Sequence, residues 1–277
     1  MRIKNLYLRK LAKKIYKFEV AKQPIDFLLN LLFGNTIYRK FCTRSLSTGL
    51  LGIGEKNTYG IASSWITVDI ENADINIDFR EAKKLPLKTN SISLIYCSHV
   101  FEHLGDDIIK KILAECKRVL VPGGCIRIEA PDIHTIIAAY KKADSRFFEN
   151  LMSSEERKIY SIDDVFIGLL ACYIENNRHV PVKCNADVIR NKLELLDDIE
   201  FTKWAISLMS EEEMKSGGHI NYMSAERISL LLSESEFVNI KQTEIGKSQS
   251  VNMQNHLAGI ERSHRGFYSA IVEASVA

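Results

Sequence analysis

Two histidines and a glutamate crowd the stretch His99-Val100-Phe101-Glu102-His103, directly after the apolar run Ile92–Ser98. Residues of these types at this spacing suit two chemistries. Inside a helix, histidines one turn apart bind zinc beside a glutamate base, which is the inverted zinc-peptidase signature. At the end of a strand that opens on a crevice, histidine instead moves protons, because it titrates near neutrality. The zinc reading needs a helix and a third ligand downstream, whereas here the motif follows a strand, so no metal ligands are assigned. His99 and His103 are the candidate bases, with Glu102 as orienter or base; a packing or helix-capping role for His103 remains the alternative. His134 and His219 are further candidates from the acceptor side.

Gly52 and Gly54 follow a second apolar run, Leu50–Ile53, where a chain must turn tightly and a ligand come close to its backbone. Asp69 ends the next run 15 residues after Gly54, and a carboxylate there can accept hydrogen bonds from both hydroxyls of a ribose. Asp78 follows a further short run and precedes the Leu85-Pro86 pair. A nicotinamide or flavin dinucleotide site would need a third glycine where this chain has Asn57.

The elements that must position these residues alternate as βαβ units do between residue 46 and about 132. Strands are expected at Leu50–Ile53, Trp65–Ile70, Ala73–Ile77, Ile92–Ser98 and Cys125–Ala130. An amphipathic helix with Ile109, Ile112, Leu113, Cys116 and Val119 on one face lies between the last two, and Pro122-Gly123-Gly124 stops it. Residues 133–218 read as a charged, helical insertion without strands. A helix over Ser224–Ser235 and strands over Phe237–Ile245 and Phe267–Val276 close the chain.

With 277 residues and 46% hydrophobic content, the chain can bury one sizeable α/β core. Cys42, Cys97, Cys116, Cys125, Cys172 and Cys184 contain no C-x-x-C pair and read as reduced, mostly buried thiols. Net charge is +2 but uneven: residues 1–45 hold 11 lysines and arginines against Glu19 and Asp26. The apolar residues Leu8, Leu11, Ile15 and Phe18 alternate there with lysines, which predicts a basic amphipathic helical arm. Its apolar stretches are too short to cross a bilayer and carry no signal-peptide pattern, so residues 1–22 are expected either to pack on the domain or to rest on anionic lipid. An acidic body and the lack of an aromatic-basic stripe argue against nucleic acid as a partner.

Four blocks in order carry a family resemblance: LLGIGE (50–55), SWITVDIENADINIDF (64–79), KLPLKTNSISLIYCSHVFEHL (84–104) and ECKRVLVPGGCIRIEAPD (115–132). Together with GHINYMSAERISLLL (218–232) and RSHRGFYSAIVEA (262–274), they resemble class I S-adenosyl-L-methionine-dependent methyltransferases, particularly a branch associated with bacterial surface-polysaccharide biosynthesis. The resemblance implies a Rossmann-like, mostly parallel seven-stranded α/β sheet with an antiparallel last strand. Residues 46–277 would form the methyltransferase domain, with 133–218 as its lid and 1–45 as an arm. The cofactor implied is S-adenosyl-L-methionine, bound by Gly52, Gly54, Asp69 on the ribose, Asp78 near the adenine, Cys97 and Ser98. His103 or Glu102 would face the acceptor, a sugar hydroxyl or amine of a surface glycan or its precursor. The implied location is cytoplasmic, peripheral to the inner face of the membrane if the arm binds lipid. Glu55 and Ser93 depart from the family pattern and motivate the alternative of a non-catalytic binding module.

Overall fold

Strand β1 (Leu50–Ile53) is buried along its whole length because parallel neighbours flank it on both sides, β2 (Ile66–Asp69) and β4 (Ile92–Ser98). A strand covered on both faces reads as a continuous apolar run rather than an alternating one. The computed structural model describes residues 49–56, 64–81, 83–261 and 265–277, so the basic arm lies outside the described residues. β3 (Ile75–Asn76) pairs with β2, and β5 (Leu120–Pro131) pairs in parallel with β4. Helix α1 (Asp106–Val119) crosses over between β4 and β5, and its five expected core residues are all buried. The helix ends before Pro122, and the strand begins at once. The Pro122-Gly123-Gly124 segment shifts the register from Ile92 opposite Leu120 to Leu94 opposite Cys125.

The insertion follows as α2 (Ile133–Lys141), α3 (Ser145–Glu149), α4 (Ile162–Leu170), a hairpin of β6 (Cys172–Glu175) and β7 (Arg178–Pro181), then α5 (Ala186–Leu195), α6 (Asp198–Ser207) and α7 (Glu211–Lys215). Reciprocal capping boxes start three of these helices: Ser161 with Asp164, Asp197 with Glu200, and Ser210 with Glu213. The hairpin corrects the expectation of a segment without strands. Its two-residue turn, Asn176-Asn177, has positive φ at both positions (49° and 61°), as the primed turns that match strand twist require. The insertion builds its own core from Ile136, Ile137, Phe148, Phe166 and Phe201, separate from that of the main sheet.

Helix α8 (Ala225–Glu234), β8 (Val238–Thr243), α9 (Val251–His256) and β9 (Ser269–Ser275) complete the chain. The sheet order is β3-β2-β1-β4-β5-β9-β8, and β9 runs antiparallel to both of its neighbours. The order reverses between β1 and β4, so a crevice opens beyond their carboxyl ends, where ligands bind in open α/β sheets. No helix among the described residues is long and apolar enough to cross a membrane.

The alternation in β5 hides a second feature. Arg127 and Glu129 are as buried as Ile126 and Ile128. Arg127 stands opposite Glu273 of β9 and pairs with it at 2.7 Å, while its other amino group pairs with Glu261 and donates to the Glu244 carbonyl. Removing one partner of a buried ion network leaves the others desolvated and uncompensated. Arg127→Met is therefore expected to cost about 3–5 kcal/mol in denaturant unfolding. Adding Glu273→Leu should recover part of that loss; equal stability of Arg127→Met and the parent chain would contradict the account.

Candidate functional site

The crevice at the switch between β1 and β4 widens into a cavity of about 830 Å³. Strand ends supply its floor: Gly54 after β1, Asp69 at the end of β2, Asp78 after β3 and His99 after β4. The insertion supplies its roof, including Tyr160, Cys172, His179 and His219. Of the residues singled out from sequence, the cavity gathers Gly54, Asp69, Asp78, His99, Glu102, His103 and His219. Gly52, Cys97 and Ser98 lie behind it. A side chain at Gly52 would meet Ile260 at 2.8 Å, Cys97 belongs to the main core, and Ser98 is buried. His134 is elsewhere on the surface, paired with Asp198 at 2.9 Å.

Gly54 turns with φ +77°, and a Cβ there would stand 2.4 Å from the Ser98 carbonyl. Glycine is thus required for the two strand exits to approach each other. Asp69 accepts the Ile70 amide at 2.6 Å, and burial raises its pKa against the pull of Lys56. Asp78 holds Arg80 in a two-pronged pair, with contacts of 2.9 Å from Nε and 2.7 Å from Nη2, which lowers the carboxyl pKa.

His99 sits with φ +52°, in the left-handed region that a histidine rarely adopts. Its amide donates to the Glu129 carbonyl at 2.8 Å, which ties the exit of β4 to β5. Its Nδ1 pairs with Glu102 at 3.1 Å; its Nε2 lies 3.1 Å from Ser269 Oγ and 3.7 Å from Glu129. Ser269 Oγ in turn donates to the Arg265 carbonyl, which leaves it to accept from an Nε2–H. Nε2 thus donates to Ser269, while Nδ1 lies within ion-pair distance of Glu102. Burial opposes the imidazolium, but Glu102 and Glu129 outweigh it and raise the His99 pKa. The same contacts, against burial, lower Glu102 to about 2 and hold Glu129 below the usual carboxylate range. His99 is thus a strut between two buried carboxylates, with both ring nitrogens turned toward its neighbours.

His103 differs. Its Nδ1 lies 2.9 Å from the Gly217 carbonyl and 3.1 Å from that of Gly218, so Nδ1 carries the proton and Nε2 carries the lone pair. Burial lowers its pKa, which keeps the ring neutral near pH 7. The short helical turn Phe101–His103 sets the two histidines of the motif on either side of Glu102 Oε1, at 3.1 Å from His99 Nδ1 and 3.8 Å from His103 Nε2. Sequence reasoning missed Glu129, Arg80, Arg265, Tyr268 and His179. A glutamate in an otherwise apolar strand was the available signal for the first. Tyr268 also lines the cavity, and burial pushes its phenol up to about 12, so it remains a hydrogen-bond donor.

Residues 57–128 match the family model described as a methyltransferase domain. No curated protein matches the chain. Similar solved structures include an S-adenosylmethionine-dependent methyltransferase from Aquifex aeolicus, at 12% identity and a TM-score of 0.34, with 82% of this chain and 81% of that one covered. Another, from Archaeoglobus fulgidus, is 12% identical with a TM-score of 0.36, covering 90% and 98%. A third, from Mesorhizobium loti, is 12% identical with a TM-score of 0.38, covering 82% and 89%.

The strut has a signature in pH. A raised imidazole pKa stabilises the fold at pH values below the ordinary histidine value and loses that contribution as pH rises through the folded-state pKa. The lowered Glu102 contributes above its ordinary value of 4.5 and is lost as pH falls toward about 2. Unfolding free energy measured against pH should therefore fall at both ends. In His99→Gln the alkaline decline should shrink relative to the parent. Parallel curves for the two chains would show that His99 is not held charged.

Proposed function

We propose that this chain, an S-adenosyl-L-methionine-dependent methyltransferase, methylates a sugar hydroxyl or amine of a surface glycan or its precursor. The observation that carries this reading is a single cavity joining the strand-end carboxylate of Asp69 to a wall formed by His103 and His219. The fit to the cofactor rests on this chain's own features: a cavity of drug-ligand size at the sheet's switch point, a carboxylate at the end of β2, and a glycine turn after β1. Asp69 would hold the ribose, and Asp78 with its Arg80 would border the adenine. When bound, the cofactor supplies a methyl group already activated on a sulfonium, so the protein must align the acceptor, exclude water and take up one proton. His103 is suited to the last task, because two carbonyls fix the ring at Nδ1 and leave the Nε2 lone pair, 3.8 Å from Glu102 Oε1, to accept a proton. Nε2 would take up the proton that the acceptor oxygen or nitrogen gives up on methylation.

A sugar acceptor is supported by the hydrogen-bonding character of the opposite wall, where Tyr160, Asp164, Asn177, Arg265 and Tyr268 line the same cavity. Aromatic rings beside convergent polar groups are what a hydroxylated ring recognises. The basic arm of residues 1–22 fits a precursor carried on lipid at the inner membrane face. It should carry the chain onto anionic vesicles at low salt and release it at high salt. Equal sedimentation with neutral vesicles would remove this part of the reading.

Two variants separate the halves of the site. Asp69→Ala should weaken S-adenosylmethionine binding by calorimetry roughly ten- to a hundredfold, the equivalent of about 1.5–3 kcal/mol for a charged acceptor. His103→Gln should bind the cofactor as the parent does but turn over about 10²–10⁴-fold more slowly on a working acceptor. Unchanged cofactor affinity in a folded Asp69→Ala would take Asp69 out of the site. Tight cofactor binding with no transfer to any sugar acceptor would favour a binding module instead.

A further inference from the structure

The roof of the cavity holds a second constellation that the methyl-transfer reading does not use. Cys172 begins β6 and His179 lies in β7 on the same face of the hairpin, because Ile174, two residues on from Cys172, is paired with His179. Their side chains meet, with Sγ 3.3 Å from Nδ1. His219 arrives from the segment after α7. Gly218 makes that approach feasible, since any Cβ there would fall 1.8 Å from the Cys172 carbonyl oxygen. Ser216 fixes the same segment by accepting the Ile174 amide at 2.7 Å. The ligand-type atoms of Cys172, His179 and His219 all lie within 4.8 Å of one another.

We propose that Cys172, His179 and His219 bind one divalent transition-metal ion, with zinc as the best fit. Each feature around them is what such a site needs. His219 Nδ1 lies 2.9 Å from the Leu169 carbonyl, so it donates its proton there and turns the Nε2 lone pair toward the group. Metal-bound histidines are oriented by this kind of carbonyl partner. The His219 amide donates to Cys172 Sγ at 3.4 Å, which ties the segment carrying His219 to the sulfur. Ligands 2.3 Å and 2.0–2.1 Å from a tetrahedral zinc stand about 3.5 Å apart, close to the sulfur–nitrogen contact found here. One soft thiolate and two imidazoles select zinc over magnesium or calcium, which prefer oxygen.

Three protein ligands leave a fourth position, the pattern of zinc sites that act on a bound oxygen rather than only hold a fold. All three residues line the cavity, so that position opens into it. Glu102, His103 and His219 form a second group with ligand-type atoms within 4.8 Å, so the proposed site borders the candidate base His103 through the shared His219. That an acceptor hydroxyl would be the bound oxygen rests on the methyl-transfer reading; metal binding itself does not.

The test uses the full chain without a histidine tag, stripped with a chelator and reloaded with zinc alone. Mass spectrometry of the gel-filtered protein should find one zinc per chain. His179→Ala, at an exposed position where folding is safe, should weaken zinc binding by about 100-fold or more, since a direct ligand outweighs the 10–100-fold of outer partners. His219→Ala should do the same. Cobalt in place of zinc should give a sulfur-to-metal charge-transfer band in the parent that Cys172→Ser abolishes. No zinc retained by the parent, equal retention by His179→Ala, or a cobalt spectrum without the sulfur band would each overturn the proposal. None of these readouts needs methyl transfer, so the metal site and the enzymatic reading fail separately.

Discussion

His99 stands between Glu102 and Glu129, and neither carboxylate reaches water. Two buried anions would repel each other and carry a desolvation cost of several kcal/mol each, which an imidazole between them, its pKa raised by both, offsets in part. The arrangement also holds a histidine at a positive φ, a conformation that persists only where the surroundings over-determine it. Those surroundings are the exits of β4 and β5 and the start of β9, all meeting at one imidazole. From this point the chain turns into Phe101–His103, so the strut sets where Glu102 and His103 emerge. The Glu102 carbonyl then accepts the amides of Ile220 and Asn221 at 2.8 and 3.1 Å, which fastens the segment returning from the insertion. One residue therefore joins the sheet to the roof of the cavity, through its side chain on one side and its backbone on the other.

The cavity divides its labour along this line. Strand ends of the sheet provide a glycine turn and carboxylates, which suit the sugar and base of a nucleoside. The insertion and the segment leaving it provide two imidazoles, a thiol and a phenol, which on the proposed reading would face the acceptor. Neither half is a site alone, because Asp69 and His103 belong to the sheet's loops while His179 belongs to the insertion and His219 to the segment returning from it. Arg80 crosses the divide: paired to Asp78 below, it reaches the Lys215 carbonyl at 3.5 Å above.

The sheet was legible in the sequence because buried parallel strands are uninterrupted apolar runs; Leu50–Ile53 and Ile92–Ser98 appear in the structure with those same bounds. The helix face from Ile109 to Val119 was legible through its 3.6-residue period. The strand hairpin was not, since Cys172–Glu175 and Arg178–Pro181 mix polar and apolar residues and hold no apolar run, and the Asn176-Asn177 turn is shorter than any periodicity window. The role of His99 was not legible either. Its partner Glu129 lies 30 residues away, and its occupancy by two carboxylates depends on strand register that no local spacing encodes. Likewise, Cys172, His179 and His219 are spaced unlike a metal motif, and only the hairpin and the Gly218 contact bring them together.

On the proposed reading, one cavity presents Asp69 to the cofactor and His103 to the acceptor. A crystal structure of the full chain with S-adenosylhomocysteine tests it most directly. The account predicts ribose hydroxyls within hydrogen-bond distance of Asp69 and the sulfur turned toward the wall formed by His103 and His219. A ribose bound away from Asp69, or a sulfur facing away from that wall, would contradict it.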